Sequence, residues 1–361
     1  MREALLYERL AGGAVRCAVC QWRCRIQPGG LGACKVRQNI EGRLYALNYE
    51  DVTAAQVDPI EKKPLFHFHP GSRAFSLGTW GCNFHCRHCQ NWEISFARSA
   101  REVGARRMSP EESVRYASQY GCQGIAWTYN EPTIWFEFTL DGARLAREAG
   151  LYTVYVTNGY ITPEALDVIG PYLDAFRVDV KGFKDSFYRE LARVPSVKGV
   201  LEMAVRAKEK WDMHVEVVTN IIPSMNDDDE QLEGIARWIA GSLGLLTPWH
   251  VTRFYPDHLL RHIPSTPLST LERAYDIGKR AGLSFLYLGN VPGTEKENTI
   301  CPACGRLAVR RSGYHTEIVG MEEGRCRQCK ADLNMRGPWS RHAPSSSIRA
   351  LQKRLSVSEH L

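Results

Sequence analysis

The sequence predicts an α/β protein: a parallel sheet with helices outside, forming a partial or complete (β/α) barrel between two small cysteine-rich modules. Three observations predict it. From Ala74 onward, apolar strand-like runs alternate with amphipathic stretches at regular spacing. No glycine-rich phosphate-binding turn of the doubly wound folds interrupts them. Polar residues gather where the runs end, which in barrels is the face that carries chemistry.

In chain order, residues 1–36 hold Cys17, Cys20, Cys24 and Cys34. Glycine and proline at 27–32 suit a tight knuckle around a metal. Zinc is the first reading there, because four thiolates close a tetrahedral structural site; a relay iron–sulfur cluster is the other. Residues 44–50 read as a short strand. Residues 58–72, Asp58-Pro59-Ile60-Glu61-Lys62-Lys63-Pro64-Leu65-Phe66 and onward, mix charges, aromatics and prolines without helical or alternating period. They predict a well-packed loop that either lines the site or closes the N-terminal end of the barrel.

The strands are predicted at 74–80, 124–129, 151–157, 175–180, 213–219, 249–254 and 283–289. Helices fit between them at 109–120, 136–149, 162–170, 196–210, 226–241 and 268–281. Ser109, Pro110 and Glu112 make a start signal of N-cap, first-turn proline and capping-box glutamate. The strand ends carry Thr128-Tyr129-Asn130-Glu131-Pro132, Thr157-Asn158-Gly159, Asp179 with Lys181, 219–227, 253–258 and Gly289-Asn290. Each alone has an ordinary explanation as a turn or an ion pair. Six in succession predict one polar mouth.

The first strand runs into Gly81-Cys82-Asn83-Phe84-His85-Cys86-Arg87-His88-Cys89-Gln90-Asn91-Trp92. Cysteine thiolates are the usual ligands of iron–sulfur clusters, which ordinarily take four. Three local thiolates without a nearby fourth leave one iron open to a small molecule. A zinc knuckle completed by His85 or His88 satisfies the ligand count but not the position, just past a strand. Farther on, Cys301-Pro302-Ala303-Cys304 and Cys326-Arg327-Gln328-Cys329, with 21 residues between, predict a zinc ribbon whose hairpin strands are 307–310 and 315–319. Cys122 reads as a buried structural thiol.

The C-x3-C-x2-C loop resembles that of the radical S-adenosylmethionine (SAM) superfamily. With Asp58-Pro59-Ile60-Glu61-Lys62-Lys63-Pro64-Leu65, Cys89-Gln90-Asn91-Trp92 and Tyr129-Asn130-Glu131-Pro132-Thr133-Ile134, the chain is similar to the AmmeMemoRadiSam-system radical SAM enzymes, relatives of the pyruvate formate-lyase activating enzymes. The likeness covers all but the tail. It implies a barrel of radical SAM type with a 4Fe-4S cluster on Cys82, Cys86 and Cys89. SAM would bind the open iron and be cleaved reductively to a 5′-deoxyadenosyl radical, which abstracts hydrogen from a substrate. By position, Glu131 and Asn130 fall in the stretch that meets the SAM amino group, although Tyr129 and Asn130 replace the superfamily's glycines. Asp179 and Lys181 match the region near the ribose and carboxylate, His88 stands where an aromatic residue approaches the adenine, and Asn158 is a further cofactor-binding candidate. The likeness also implies a reducing donor such as flavodoxin or ferredoxin, and Memo-like and AMMECR-like companions.

Hydrophobic residues make up 44% and charged residues 24%, ordinary for a globular protein, and a net charge of +6 does not argue for nucleic acid. No run is long enough to cross a bilayer, and the N-terminus lacks the apolar core of a secretory signal, so a cytoplasmic location is expected. Eleven of the twelve cysteines fall in three clusters, which without a signal reads as metal binding. The expected organisation is a cysteine-knuckle and loop region at 1–73, the barrel at 74–296, the ribbon at 297–336 and a flexible tail at 337–361. The substrate is either a partner protein that receives a glycyl radical or a small molecule. The rival from another class is a non-catalytic scaffold with zinc in all three clusters.

Overall fold

The computed structural model describes residues 1–338. The predicted apolar runs lie side by side in one sheet, joined by a strand at its edge. The strands are β1 (Ala54–Pro59), β2 (Arg73–Gly78), β3 (Gly124–Trp127), β4 (Tyr152–Thr157), β5 (Ala175–Asp179), β6 (His214–Ile221), β7 (Trp249–Arg253) and β8 (Leu286–Gly289). Each pairs with its neighbour in sequence, and every pair from β2 to β8 is parallel. A doubly wound sheet reverses its order at a switch point, and this one does not. Among the described residues no pairing joins β8 to β1, so the barrel is partial.

The helices are α1 (Pro110–Gln119), α2 (Phe136–Glu148), α3 (Pro163–Ile169), α4 (Lys198–Trp211), α5 (Asp229–Trp238) and α6 (Leu268–Arg280). The expected capping box opens α1: Ser109 Oγ accepts from the Glu112 amide at 3.2 Å, and Glu112 accepts from the Ser109 amide at 2.8 Å. The α5 helix is shorter than its apolar period predicts. Asp228 caps it by accepting from the Gln231 amide, and it relaxes into a π turn at Ile239–Leu243. All six residues of β4 are buried, as a parallel strand covered on both faces requires.

Residues 58–72 depart from the expected loop only at their start. Asp58 and Pro59 end β1, which runs antiparallel to β2. Proline is tolerated because β1 is the edge of the sheet. The sheet therefore begins at 54, inside the expected N-terminal region. The rest of the segment closes the N-terminal end of the barrel. The amides of Phe66 and His67 donate to Glu216 at 3.1 and 2.8 Å, and the Nε2 atoms of His214 and His250 meet the same carboxylate at 3.0 and 2.7 Å. Burial opposes ionisation of Glu216, but its hydrogen bonds with the two histidines outweigh it and hold the carboxyl well below its usual range.

The ribbon strands Leu307–Ser312 and His315–Ile318 form the expected hairpin. The ribbon seats on the same floor: the Arg311 guanidinium donates to the Phe66 carbonyl at 2.7 Å and lies 4.2 Å from the Phe66 ring. The N-terminal module consists of two small antiparallel sheets. It is pinned to α2 by a buried, two-pronged ion pair of Arg37 with Glu137, at 2.9 and 2.7 Å. The expected flexible tail lies, from residue 339 on, outside the described residues. Among the described residues no helix is long and apolar enough to cross a membrane.

Candidate active site

The loop carrying Cys82, Cys86 and Cys89 leaves the C-terminal end of β2, and neighbouring elements hold its backbone. Asn130, after β3, donates through Nδ2 to the carbonyls of Thr79 and Gly81 at 3.0 and 2.7 Å. The His85 and Arg87 amides donate to the carbonyls of Ala192 and Leu191, on a π turn at Tyr188–Ala192. The Leu259 amide donates to the Arg87 carbonyl, tying in the segment after β7. A short helix, Trp92–Ser95, follows the third cysteine, and Trp92 stacks on His258 at 5.2 Å.

Cys82 and Cys86 are buried and Cys89 is half-buried. Burial pushes the Cys82 thiol well up and the Cys86 thiol up to about 12. Thiolates here need a compensating positive charge, which is the chemistry of metal ligands. The Phe84 amide lies 3.4 Å from Cys82 Sγ and Asn158 Nδ2 3.9 Å from it, while Cys89 Sγ faces Ser95 Oγ at 3.6 Å. Among the described residues, the group whose ligand atoms all lie within 4.8 Å of one another is Cys301, Cys304, Cys326 and Cys329. The three sulfurs of the Cys82 loop are spread wider, with neither His85 nor His88 completing a compact set. One zinc ion, with Zn–S near 2.3 Å, draws its sulfurs together, whereas a cluster gives each sulfur its own iron.

Several buried polar atoms around this loop have no partner among the described residues: both amide atoms of Asn83, Nδ1 of His88 and Nε2 of His258. Buried polar groups are normally satisfied, so their concentration around one loop fits a site that takes a polar group. Burial, with help from Lys181, pushes His88 down to about 3, so its imidazole is neutral.

The remaining candidates converge here. Glu131 is fully buried and accepts from the Thr133 amide at 3.0 Å, Thr157 Oγ1 at 2.7 Å and the Asn158 amide at 2.7 Å. Its carboxylate thus ties β3 to β4 beside Cys82. Asn130 spends both amide hydrogens on the cysteine loop, leaving Oδ1 as an acceptor. Asp179 pairs with Arg177, and with Lys181 at 3.3 Å. Desolvation opposes the charge on Lys181, but Asp179 outweighs it and holds the ammonium protonated. Sequence reasoning quoted Asn83, Trp92 and His258 within motifs and strand ends without giving them a role, and it missed Arg177 and the inward turn of Lys63. The Lys63 ammonium sits 2.7 Å from Asp58 and 4.8 Å from the Tyr129 ring.

Residues 78–239 match the Radical SAM superfamily. An uncharacterized protein of Methanocaldococcus jannaschii is 44% identical over 337 residues, covering 93% of this chain and 99% of its own. The chain belongs to the radical SAM superfamily. It is an enzyme family, and glycyl-radical and related activating enzymes are among the chain's relatives. The isethionate sulfite-lyase activating enzyme of Oleidesulfovibrio alaskensis is 29% identical over 131 residues, 36% of this chain and 41% of that enzyme. Among solved structures, a domain of a pyruvate-formate lyase-activating enzyme from Bacteroides vulgatus matches 46% of this chain and 99% of its own, with TM-score 0.40 and 17% identity.

The two outer groups of cysteines differ. In the ribbon, Cys301 and Cys329 sulfurs lie 3.5 Å apart, and those of Cys304 and Cys326 3.6 Å apart. This spacing suits one tetrahedral ion. Cys17, Cys20 and Cys34 are buried and Cys24 half-buried, in a module that abuts the Cys82 loop.

Proposed function

We propose that this radical SAM enzyme cleaves SAM reductively at a 4Fe-4S cluster on Cys82, Cys86 and Cys89, and uses the 5′-deoxyadenosyl radical to abstract hydrogen from a substrate. The observation that carries the reading is the three-cysteine loop at the barrel mouth, ringed by buried polar atoms without a partner among the described residues. When bound, the cluster and SAM supply one-electron chemistry at this mouth. The chain's own residues position and shield. Asn130 fixes the loop backbone and offers Oδ1 to an ammonium group. Lys181, kept charged by Asp179, faces the Cys86 side and suits a carboxylate. Glu131 and Asn158 set the wall beside Cys82, and neutral His88 offers a flat ring and a free Nδ1.

A protein substrate that receives a glycyl radical is the first reading, supported by relatives named as activating enzymes. A small anionic molecule is the second. Arg177 shares the inner face of β5 with Asp179, and its buried Nε has no partner among the described residues, while Lys63 reaches inward from the floor. Zinc belongs, on this reading, to Cys301, Cys304, Cys326 and Cys329. The donor is a flavodoxin or ferredoxin, and Memo-like and AMMECR-like proteins are candidate companions, to be sought by anaerobic co-purification.

Anaerobic reconstitution with iron and sulfide tests the proposal. A brown protein that bleaches with dithionite and releases 5′-deoxyadenosine from SAM is expected, and Cys86→Ala should abolish that release while keeping its circular dichroism. A colourless wild type holding only zinc would leave the scaffold reading standing instead.

A further inference from the structure

The four N-terminal cysteines form a built site that the chemistry above does not use. The Cys17 amide donates to the Cys24 carbonyl at 3.0 Å, and the Arg23 amide donates to the Cys20 carbonyl at 3.0 Å. The Ala33 amide reaches Cys24 Sγ at 3.5 Å, which brings the turn before Cys34 alongside. Cys17, Cys20 and Cys34 are 6, 8 and 8% exposed. The ribbon is an internal standard for a single-ion site. Its four sulfurs lie within 4.8 Å of one another, and among the described residues no three of the N-terminal sulfurs do. One zinc ion needs that closeness, and a cubane, with an iron for each sulfur, does not.

Position supplies the second argument. The module is seated on the Cys82 loop, away from the ribbon. Trp22 Nε1 donates to the Asn83 carbonyl at 2.8 Å, the Gln21 amide donates to the Tyr160 carbonyl at 3.0 Å, and Cys20 bridges to Ile161. Gly81 lies so close that a Cβ there would stand 2.7 Å from the Cys34 carbonyl oxygen. A structural zinc knuckle has no need to sit there, whereas an electron carrier does.

We propose that Cys17, Cys20, Cys24 and Cys34 hold a second iron–sulfur cluster that passes single electrons to the cluster at Cys82, Cys86 and Cys89. The inference rests on the reading of the Cys82 loop given above. In each transfer the N-terminal cluster is oxidised by one electron and the Cys82 cluster reduced by one. A low-potential one-electron donor protein then restores the first, so the net electron comes from that donor.

Iron and sulfide counts after anaerobic reconstitution test the site. About eight irons per wild-type chain are expected, against about four if only the Cys82 loop is loaded. The variant with Cys82, Cys86 and Cys89 all replaced by alanine should keep about four irons and, once reduced, a paramagnetic signal that SAM does not alter. If the wild type holds about four irons and the triple variant is colourless with two zinc ions, this proposal fails and the Cys82 reading survives. If the wild type itself holds no iron, both fall. For the relay, Cys24→Ser should slow deoxyadenosine release at least about tenfold with a flavodoxin donor and less than about twofold with dithionite. Equal losses with both donors would overturn the relay.

Discussion

Asp58 accepts hydrogen bonds from Lys62 at 2.8 Å, Lys63 at 2.7 Å and the Tyr129 hydroxyl at 2.9 Å, joining two motifs 71 positions apart. Tyr129 sits at φ +73°, a left-handed conformation that costs a bulky residue about 1–3 kcal/mol and persists only where its surroundings enforce it. The bond to Asp58, and the one from Asn91 Nδ2 to the Tyr129 carbonyl at 2.7 Å, are what enforce it. Asp58→Ala strands the buried Lys63 ammonium, and a loss of about 3–5 kcal/mol is expected in denaturant unfolding. Burial works against the Asp58 charge, but its three donors prevail and place the folded carboxyl below its unfolded value. Its contribution is therefore complete above the ordinary carboxylate range and fades as pH falls toward the folded value. Asp58→Asn should flatten the acid limb of the stability–pH curve, and an unchanged limb would refute the assignment.

At the scale of elements, the cysteine loop takes its place from what packs on it. Gly81 has φ +83°, and a Cβ there would meet Val36 Cγ1 at 2.6 Å as well as the Cys34 backbone. Gly81→Ala must open the seam between the N-terminal module and the loop, at a cost of about 2–4 kcal/mol. The expected readout is a lower melting temperature together with a loss of cluster iron, and a normal iron content would show that the seam is not needed. The pair of Arg37 with Glu137 pins the same module from its other side, fully out of water. Arg37→Ala leaves Glu137 buried and unpaired, so unfolding should come about 3–5 kcal/mol earlier, with the N-terminal module cut first in limited proteolysis.

Across the whole molecule, the two ends of the barrel have different tasks. The C-terminal end gathers the cysteine loop and the polar strand ends. The N-terminal end is closed by Phe66, His67 and Glu216 and backed by the ribbon. A metal at the ribbon cysteines would stabilise that floor rather than the mouth. Cys304→Ser is thus expected to lower the melting temperature by about 5–10 °C while SAM cleavage at low temperature stays within about twofold. A variant that melts normally but loses cleavage would reverse that division of labour.

By itself, the sequence determined what local chemistry can encode. Continuous apolar runs marked the parallel strands, Ser109 with Glu112 marked a helix start, and cysteine spacing set apart three candidate metal-binding groups. These signals lie within a few residues of one another, so pattern and propensity suffice. Tertiary structure alone decided the pairings of distant residues: Arg37 with Glu137 at a separation of 100, His67 with Tyr287 at 220, and the edge strand β1 that a polar stretch concealed. It also decided that the four ribbon sulfurs converge on one point. The reason is physical: a buried charge or thiol is stable only beside its partner, and the fold, not the spacing along the chain, brings that partner near.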